Sequence, residues 1–274
     1  MRPNFGLKCR GAASKKRGGY SIYTPGPPTV NPMARWRGLA GAAMTPEPRL
    51  QELHHRLLAA FGPQHWWPGE TPLEVMVGAV LTQNTSWGNV ERAIANLKAR
   101  GVLDFAALRG LELAELAELI RPAGYYNLKA ARLRNLLDLL HQHHGEAWRE
   151  VFALPLDAAR ERLLAARGVG PETADSILLY AGGLPSFVID AYTFRVLGRH
   201  GLGLGLDYHR LRALFMASLP AESALYNEFH ALLVRLGKDY CKKSRPRCEG
   251  CPARDWSRAS SAPETAGCGI VASG

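Results

Sequence analysis

The chain has 274 residues, 47% of them hydrophobic, with 34 Lys and Arg against 24 Asp and Glu, a formal charge of +10 and a pI near 9.6. So much apolar side chain can offset the entropy of folding, which excludes disorder as the main state, and no apolar run approaches the ~20 residues of a membrane span. The basic excess points to a polyanionic partner and the length to one large or two modest domains.

The charge is unevenly placed. Residues 1–43 hold eight Lys and Arg and no acid, so the other 231 residues are nearly balanced at 26 basic to 24 acidic groups. That first stretch is rich in Gly, Pro, Ala and Ser without a hydrophobic period, and reads as a disordered basic tail. No apolar stretch follows its charges as a secretory signal requires; the absence of acids allows a transit peptide, against which its Gly and Pro clusters break the amphipathic helix. Met33 and Met44 are further candidate starts, and the tail's role is either none or that of a weak phosphate-binding arm.

From Pro46 the pattern becomes helical. Leu50, Leu53, Leu57 and Leu58 recur at three- and four-residue spacing, the mark of an amphipathic helix. Further helices are predicted over 72–84, 87–99, 111–120, 127–143, 156–166, 171–182, 190–199, 207–218 and 222–237. Gly and Pro punctuate them at Pro68-Gly69, Pro122 to Gly124, Gly168 to Gly170, Gly182-Gly183 and Gly201 to Gly205. No alternating strand pattern of useful length appears. The expected body is all-α in two lobes, one from residues 44–70 and 190–240, the other a helical barrel over 71–189. A cysteine-rich loop at 241–257 and a flexible tail at 258–274 follow.

Two stretches carry chemistry on their own residues. At Gly168-Val169-Gly170 one helix ends, two glycines allow a tight turn that bares backbone N–H groups, and Pro171 opens the next helix. Beside the positive end of a helix dipole, such a turn suits one phosphate of a nucleic-acid backbone, although a lone turn of this kind is usually a plain connection. The second stretch is Cys241-x6-Cys248-x2-Cys251, a metal-ligand spacing in a chain without a secretory signal. Between its first two cysteines, Lys242, Lys243, Arg245 and Arg247 set four cations in six residues, pinned at both ends as a phosphate clamp would be. The alternative is a solvated charged loop.

Residues 163–196, LLAARGVGPETADSILLYAGGLPSFVIDAYTFRV, resemble the helix-hairpin-helix of the endonuclease III superfamily of DNA base-excision glycosylases. The resemblance continues upstream through LTQNTSWGNV (81–90) and IRPAGYYNLKAARL (120–133) and downstream to the cysteines, over about residues 50–257. It implies a two-lobed all-α glycosylase fold with a cleft between the lobes and the helix-hairpin-helix at 156–182. The implied partner is double-stranded DNA containing damaged bases, with Gly168, Val169, Gly170 and Thr173 against its backbone. The implied protein is a monomer acting in the cytoplasm at the nucleoid.

The same resemblance assigns roles within the cleft. Asp190 stands where the family keeps a carboxylate that stabilises the sugar cation and orients or deprotonates water; Asp190 is also a good helix N-cap. Glu172 occupies the position of the lysine that gives bifunctional members their strand-cleaving lyase, and a carboxylate cannot form a Schiff base. It reads either as a catalytic acid or as a first-turn acid matched to the helix dipole. A monofunctional enzyme is therefore expected. Trp66, Trp67 and Trp87 offer faces for a flipped, positively charged base, and HWWPGETPLEVMVGAVLTQNTSW is similar to the branch that removes 3-methyladenine. Gln83, with Asn84 beside it, matches the residue pushed into the gap left by the flipped nucleotide. Tyr125 to Lys129 resembles a motif near the DNA face, with Lys129 alternatively only solvated.

The resemblance also implies a [4Fe–4S] cluster on Cys241, Cys248, Cys251 and a fourth cysteine. At that fourth position stands Ser257, so Cys268 is the candidate replacement, with Ser257 itself a weaker ligand, and a three-cysteine cluster, zinc or no metal stay open. Cys9 is not involved. The competing readings are an endonuclease III-like glycosylase for oxidised pyrimidines, an adenine-mismatch glycosylase, and a non-catalytic helix-hairpin-helix DNA-binding protein.

Overall fold

The computed structural model describes residues 45–66 and 69–256. The basic tail, Trp67, Ser257 and Cys268 lie outside the described residues. Among the described residues the fold is all-α, without a strand. In chain order the helices are α1 (Arg49–Phe61), α2 (Pro72–Leu81), α3 (Trp87–Ala99), α4 (Phe105–Gly110), α5 (Leu113–Leu119) and α6 (Tyr126–His144). They continue with α7 (Leu156–Leu164), α8 (Pro171–Ser176), α9 (Ala191–Arg199), α10 (Tyr208–Ser218) and α11 (Ser223–Asp239). Short 3-10 turns occupy Arg121–Ala123 and Trp148–Ala153. No helix among the described residues is long and apolar enough to cross a membrane.

Local chemistry sets the helix starts. Thr71 accepts from the Glu74 N–H at 3.2 Å ahead of Pro72, and Asp104, Asp190 and Asp207 cap α4, α9 and α10 in the same way. Each such cap contributes about 1 kcal/mol. The predicted helix over 72–84 stops at Leu81, because Asn84 turns into the left-handed region at φ 55°. The predicted helix over 171–182 is α-helical only to Ser176. It widens into a π-helical turn at Ile177–Ala181, closed by the Gly182 N–H on the Ile177 carbonyl at 3.1 Å.

Apolar side chains gather into two buried clusters. The first takes the inner faces of α2 through α8, from Leu73 to Leu178. The second joins Leu50, Leu53 and Leu57 of α1 to Phe187, Val188 and Ile189 and to α9, α10 and α11. Helix α2 is apolar nearly all round and serves both: Met76, Val77, Val80 and Leu81 join the first, Val75 the second. The chain passes from one cluster to the other between Leu178 and Leu179, inside the π-helical turn.

One buried ionic node ties these layers together. Asp175 on α8 is fully buried and accepts from Arg160 on α7 at 2.8 and 3.0 Å, from Ser186 at 2.5 Å and from Tyr208 at 2.8 Å. Arg212 on α10 stands 3.1 Å from the same carboxylate. Removing Asp175 would leave two desolvated guanidinium groups without it, a change that costs about 3–5 kcal/mol for pairs of this kind.

Candidate active site

The hairpin is built by exclusion of side chains. Gly168 has φ 98°, and a Cβ there would overlap the Arg132 side chain of α6. Arg132 donates to Gln83 Oε1 at 2.5 Å, while Gln83 Nε2 donates to the Gly168 carbonyl at 3.1 Å and to Thr173 Oγ1 at 2.9 Å. Asn135 adds a bond to the Arg167 carbonyl at 3.0 Å. Gln83 thus lies on a turn after α2 and is tied to the hairpin, together with Gly168 and Thr173. Val169 is buried in the first cluster and anchors the turn.

Past the hairpin the extended run Ser186–Ile189 is buried and delivers Asp190 to the start of α9. The two carboxylate oxygens of Asp190 divide their work. Oδ1 accepts from the Thr193 N–H at 2.8 Å and from its hydroxyl at 2.9 Å, which makes Asp190 the helix cap. Oδ2 is left over and faces His230 Nε2 of α11 at 3.6 Å. Burial works to raise the Asp190 carboxyl, but the imidazole of His230 and the two Thr193 donors outweigh it, holding the group below the usual carboxylate range.

Glu172, in the first turn of α8, lies within the electrostatic reach of both residues. Its side chain meets solvent, yet the protein around its carboxyl and the Asp190 charge raise it, against a smaller opposing effect of His230. The two carboxyls are therefore displaced in opposite directions, Asp190 downward and Glu172 upward. Trp66 stacks on His230 with ring centroids 5.6 Å apart and planes 18° apart. Trp87 instead packs half-buried against the first cluster, over Gly78.

Lys129 is fully buried rather than solvated. Its Nζ donates to the Leu81 carbonyl at 2.9 Å and the Ala123 carbonyl at 2.7 Å, satisfying the ends of α2 and of a 3-10 turn. Burial, then Arg132, lowers its pKa.

The cysteine loop follows α11. Cys241 is buried, and its Sγ accepts from Arg199 at 3.2 Å. Arg199 also donates to the Lys242 and Lys243 carbonyls, and Arg195 to those of Cys241 and Gly237. These bonds hold the basic loop against α9 and leave Lys243, Arg245 and Arg247 exposed, with Lys242 half-buried. Among the described residues no group of three or more His, Cys, Asp and Glu side chains stands where it could hold a metal ion. Cys241, Cys248 and Cys251 therefore do not form the expected cluster site by themselves.

Sequence reasoning missed Arg132, Asp175, Tyr180 and His230. A lone His in the apolar helix of NEFHALLVRL and a lone Asp in TADSILLY were the signals at hand, since a polar group on a buried face needs a partner.

Comparison with known proteins agrees with this geometry. Residues 77–220 match the family described as HhH-GPD superfamily base excision DNA repair protein. A Methanocaldococcus jannaschii protein assigned as a DNA repair glycosylase is 44% identical over 210 residues, which cover 76% of this chain and 94% of that one. The crystal structure of an H. pylori 3-methyladenine DNA glycosylase bound to 1,N6-ethenoadenine is similar with a TM-score of 0.58 and 29% identity, over 70% of this chain and 98% of that one. A non-covalent endonuclease III–DNA complex shares the fold with a TM-score of 0.65 at 22% identity, over 76% of this chain and 94% of that one. A hairpin closed over Gly168, an aspartate at the head of the helix beyond it and a family match spanning both give one conclusion: the chain belongs to the HhH-GPD superfamily of base excision DNA repair proteins and is a DNA glycosylase.

Proposed function

We propose that the protein is a monofunctional glycosylase that hydrolyses the N-glycosidic bond of alkylated purines such as 3-methyladenine in double-stranded DNA. The observation that carries this reading is the placement of two carboxyls: Asp190 at the head of α9 with Oδ2 left over from its cap, and Glu172 in the first turn of α8, where a lyase would need an amine. An N-alkylated purine already carries positive charge, so it leaves with little help from an acid. Asp190 then has two tasks, to stabilise the cation that forms on the sugar and to orient and deprotonate the attacking water through Oδ2. Glu172, whose carboxyl is raised by burial and by the Asp190 charge, takes the second catalytic role beside it.

Trp66 takes the stacking role beside this pair, supported by its place over His230. The hairpin at Gly168, Val169, Gly170 and Thr173 grips the backbone, and Lys242, Lys243, Arg245 and Arg247 add phosphate contacts. Gln83, tied to the hairpin through its side-chain amide, exchanges those bonds to enter the gap in the duplex. The enzyme works as a monomer on chromosomal DNA inside the cell.

A [4Fe–4S] cluster belongs to this reading only with a donor from outside the described residues. Cys241, Cys248 and Cys251 need Cys268 or Ser257 as the fourth ligand, and no step of the reaction runs through them. Iron and sulfide analysis of anaerobically purified protein decides it; folded protein free of both removes the cluster.

The activity test uses wild type and Asp190→Asn on duplexes containing 3-methyladenine, an oxidised pyrimidine or an abasic site, scoring base release apart from strand cleavage. Asn caps a helix as well as Asp, so this variant removes the charge and keeps the fold. Release of 3-methyladenine without nicking, falling about 10²–10⁴-fold in the variant, is expected. Lyase-type nicking would favour the endonuclease III-like alternative, and binding without release would leave a DNA-binding module.

A further inference from the structure

We propose that Tyr180 and His230 form a buried positioning pair for Asp190, an inference that rests on Asp190 being the working carboxylate. His230 is 5% exposed and Tyr180 8%, both far more buried than a residue kept for surface charge. The Tyr180 hydroxyl lies 2.5 Å from His230 Nδ1. On the other side of the ring, Nε2 points at Asp190 Oδ2 from 3.6 Å, too far for a hydrogen bond, and is buried without a partner among the described residues. Trp66 covers the ring face, and its indole also meets Tyr180 at 5.6 Å.

This arrangement selects a tautomer. Burial and then the Asp190 charge hold the Tyr180 hydroxyl well above its usual range, so it keeps its proton and donates to Nδ1. The ring proton is then on Nε2, aimed at Oδ2. A closure of about 0.5 Å completes that bond at ordinary hydrogen-bond length. Because Oδ1 is committed to Thr193, a donor on Oδ2 fixes the plane of the carboxylate and favours its ionised form. The π-helical turn has a matching role. One extra residue in a helical turn rotates the residues beyond it by about 100°, and Tyr180 lies within that turn. The titratable groups facing Asp190 are accordingly His230 from α11, Tyr180 from the π-helical turn and Glu172 from α8.

His230→Phe keeps the stack on Trp66 and removes the N–H; Tyr180→Phe removes only a hydroxyl and tests the same chain if the first variant fails to fold. Single-turnover base release from a 3-methyladenine duplex should slow about 10–100-fold in His230→Phe and less in Tyr180→Phe, as for other partners that orient a working side chain, with DNA affinity unchanged. The acid limb of the pH profile should move to higher pH in both. In an Asp190→Asn background His230→Phe should change nothing further, because the pair acts through Asp190. Rates within about twofold of wild type with an unmoved acid limb, or additive losses in the double variant, would overturn the pair. Carboxyl-carbon NMR titration of Asp190 reads the inference independently of activity: its midpoint rises in His230→Phe if the pair holds it, and stays put otherwise. Retained release in Asp190→Asn, or no release by wild type from any duplex, would instead refute the functional reading.

Discussion

The hairpin and the cysteine loop, the two regions to which the proposed function gives the phosphate backbone, are held in opposite ways. The hairpin is fixed from inside by side chains that bond its backbone: Gln83 on the Gly168 carbonyl, Asn135 on Arg167, and Arg132 filling the space that a Cβ at Gly168 would take. In the proposed function its grip rests on backbone N–H groups rather than on cations. The cysteine loop is fixed from below by Arg195 and Arg199 on its carbonyls, and it presents cations outward. Its grip depends on charge and is screened. One region supplies geometry, the other attraction.

Gly168→Val should give the largest effect. A β-branched side chain at φ 98° costs about 1–3 kcal/mol of strain and displaces Arg132 and with it Gln83. DNA binding should weaken about tenfold or more, measured by fluorescence anisotropy, with the salt slope unchanged. An altered slope would show that the hairpin also contributes charge. Lys243→Ala with Arg247→Ala should have a moderate effect of the complementary kind. The slope of log K against log salt should fall by about 1.8, two phosphate contacts' worth, while single-turnover excision on saturating DNA stays the same.

Glu172→Gln tests a cost placed on the hairpin side. A carboxyl whose folded-state pKa is raised weakens the fold above its unfolded pKa and has no such effect below it. The variant should therefore melt slightly higher than wild type at neutral pH and equally in acid, a small gain because the side chain meets solvent. Deleting residues 1–43 should give the smallest effect on chemistry: excision intact, with nonspecific affinity and its salt dependence reduced. Lost excision would give the tail a share in the site.

Much of the site could be read along the chain because its parts are local. The cap role of Asp190 needs only Thr193, three residues on, and the turn of the hairpin is signalled by its two glycines and Pro171. The helices followed from the 3.6-residue period, with ends misplaced where a turn or π-helical turn intervened at Asn84 and Ile177. The 105–110 helix was missed because six residues hold too few apolar positions to show a period. Burial of Lys129 could not be read from the chain, because its partners, the Leu81 and Ala123 carbonyls, are main-chain atoms that no side-chain pattern announces.

The all-α class, the hairpin, the family motifs and the position of Asp190 follow from the order of residues along the chain, since each rests on neighbours a few residues apart. The chain's +10 charge pointed to a polyanion, although most of that charge belongs to residues 1–43 and the remainder is nearly balanced. Tertiary structure alone decided which groups surround the carboxylate. Tyr180 and His230 are 50 residues apart, and Gln83 and Arg132 49, and only the packing of α11 and α6 against the chain between them brings each pair within bonding distance. Burial then does what no linear pattern can: it removes the water that would screen these groups, and so gives each contact its strength.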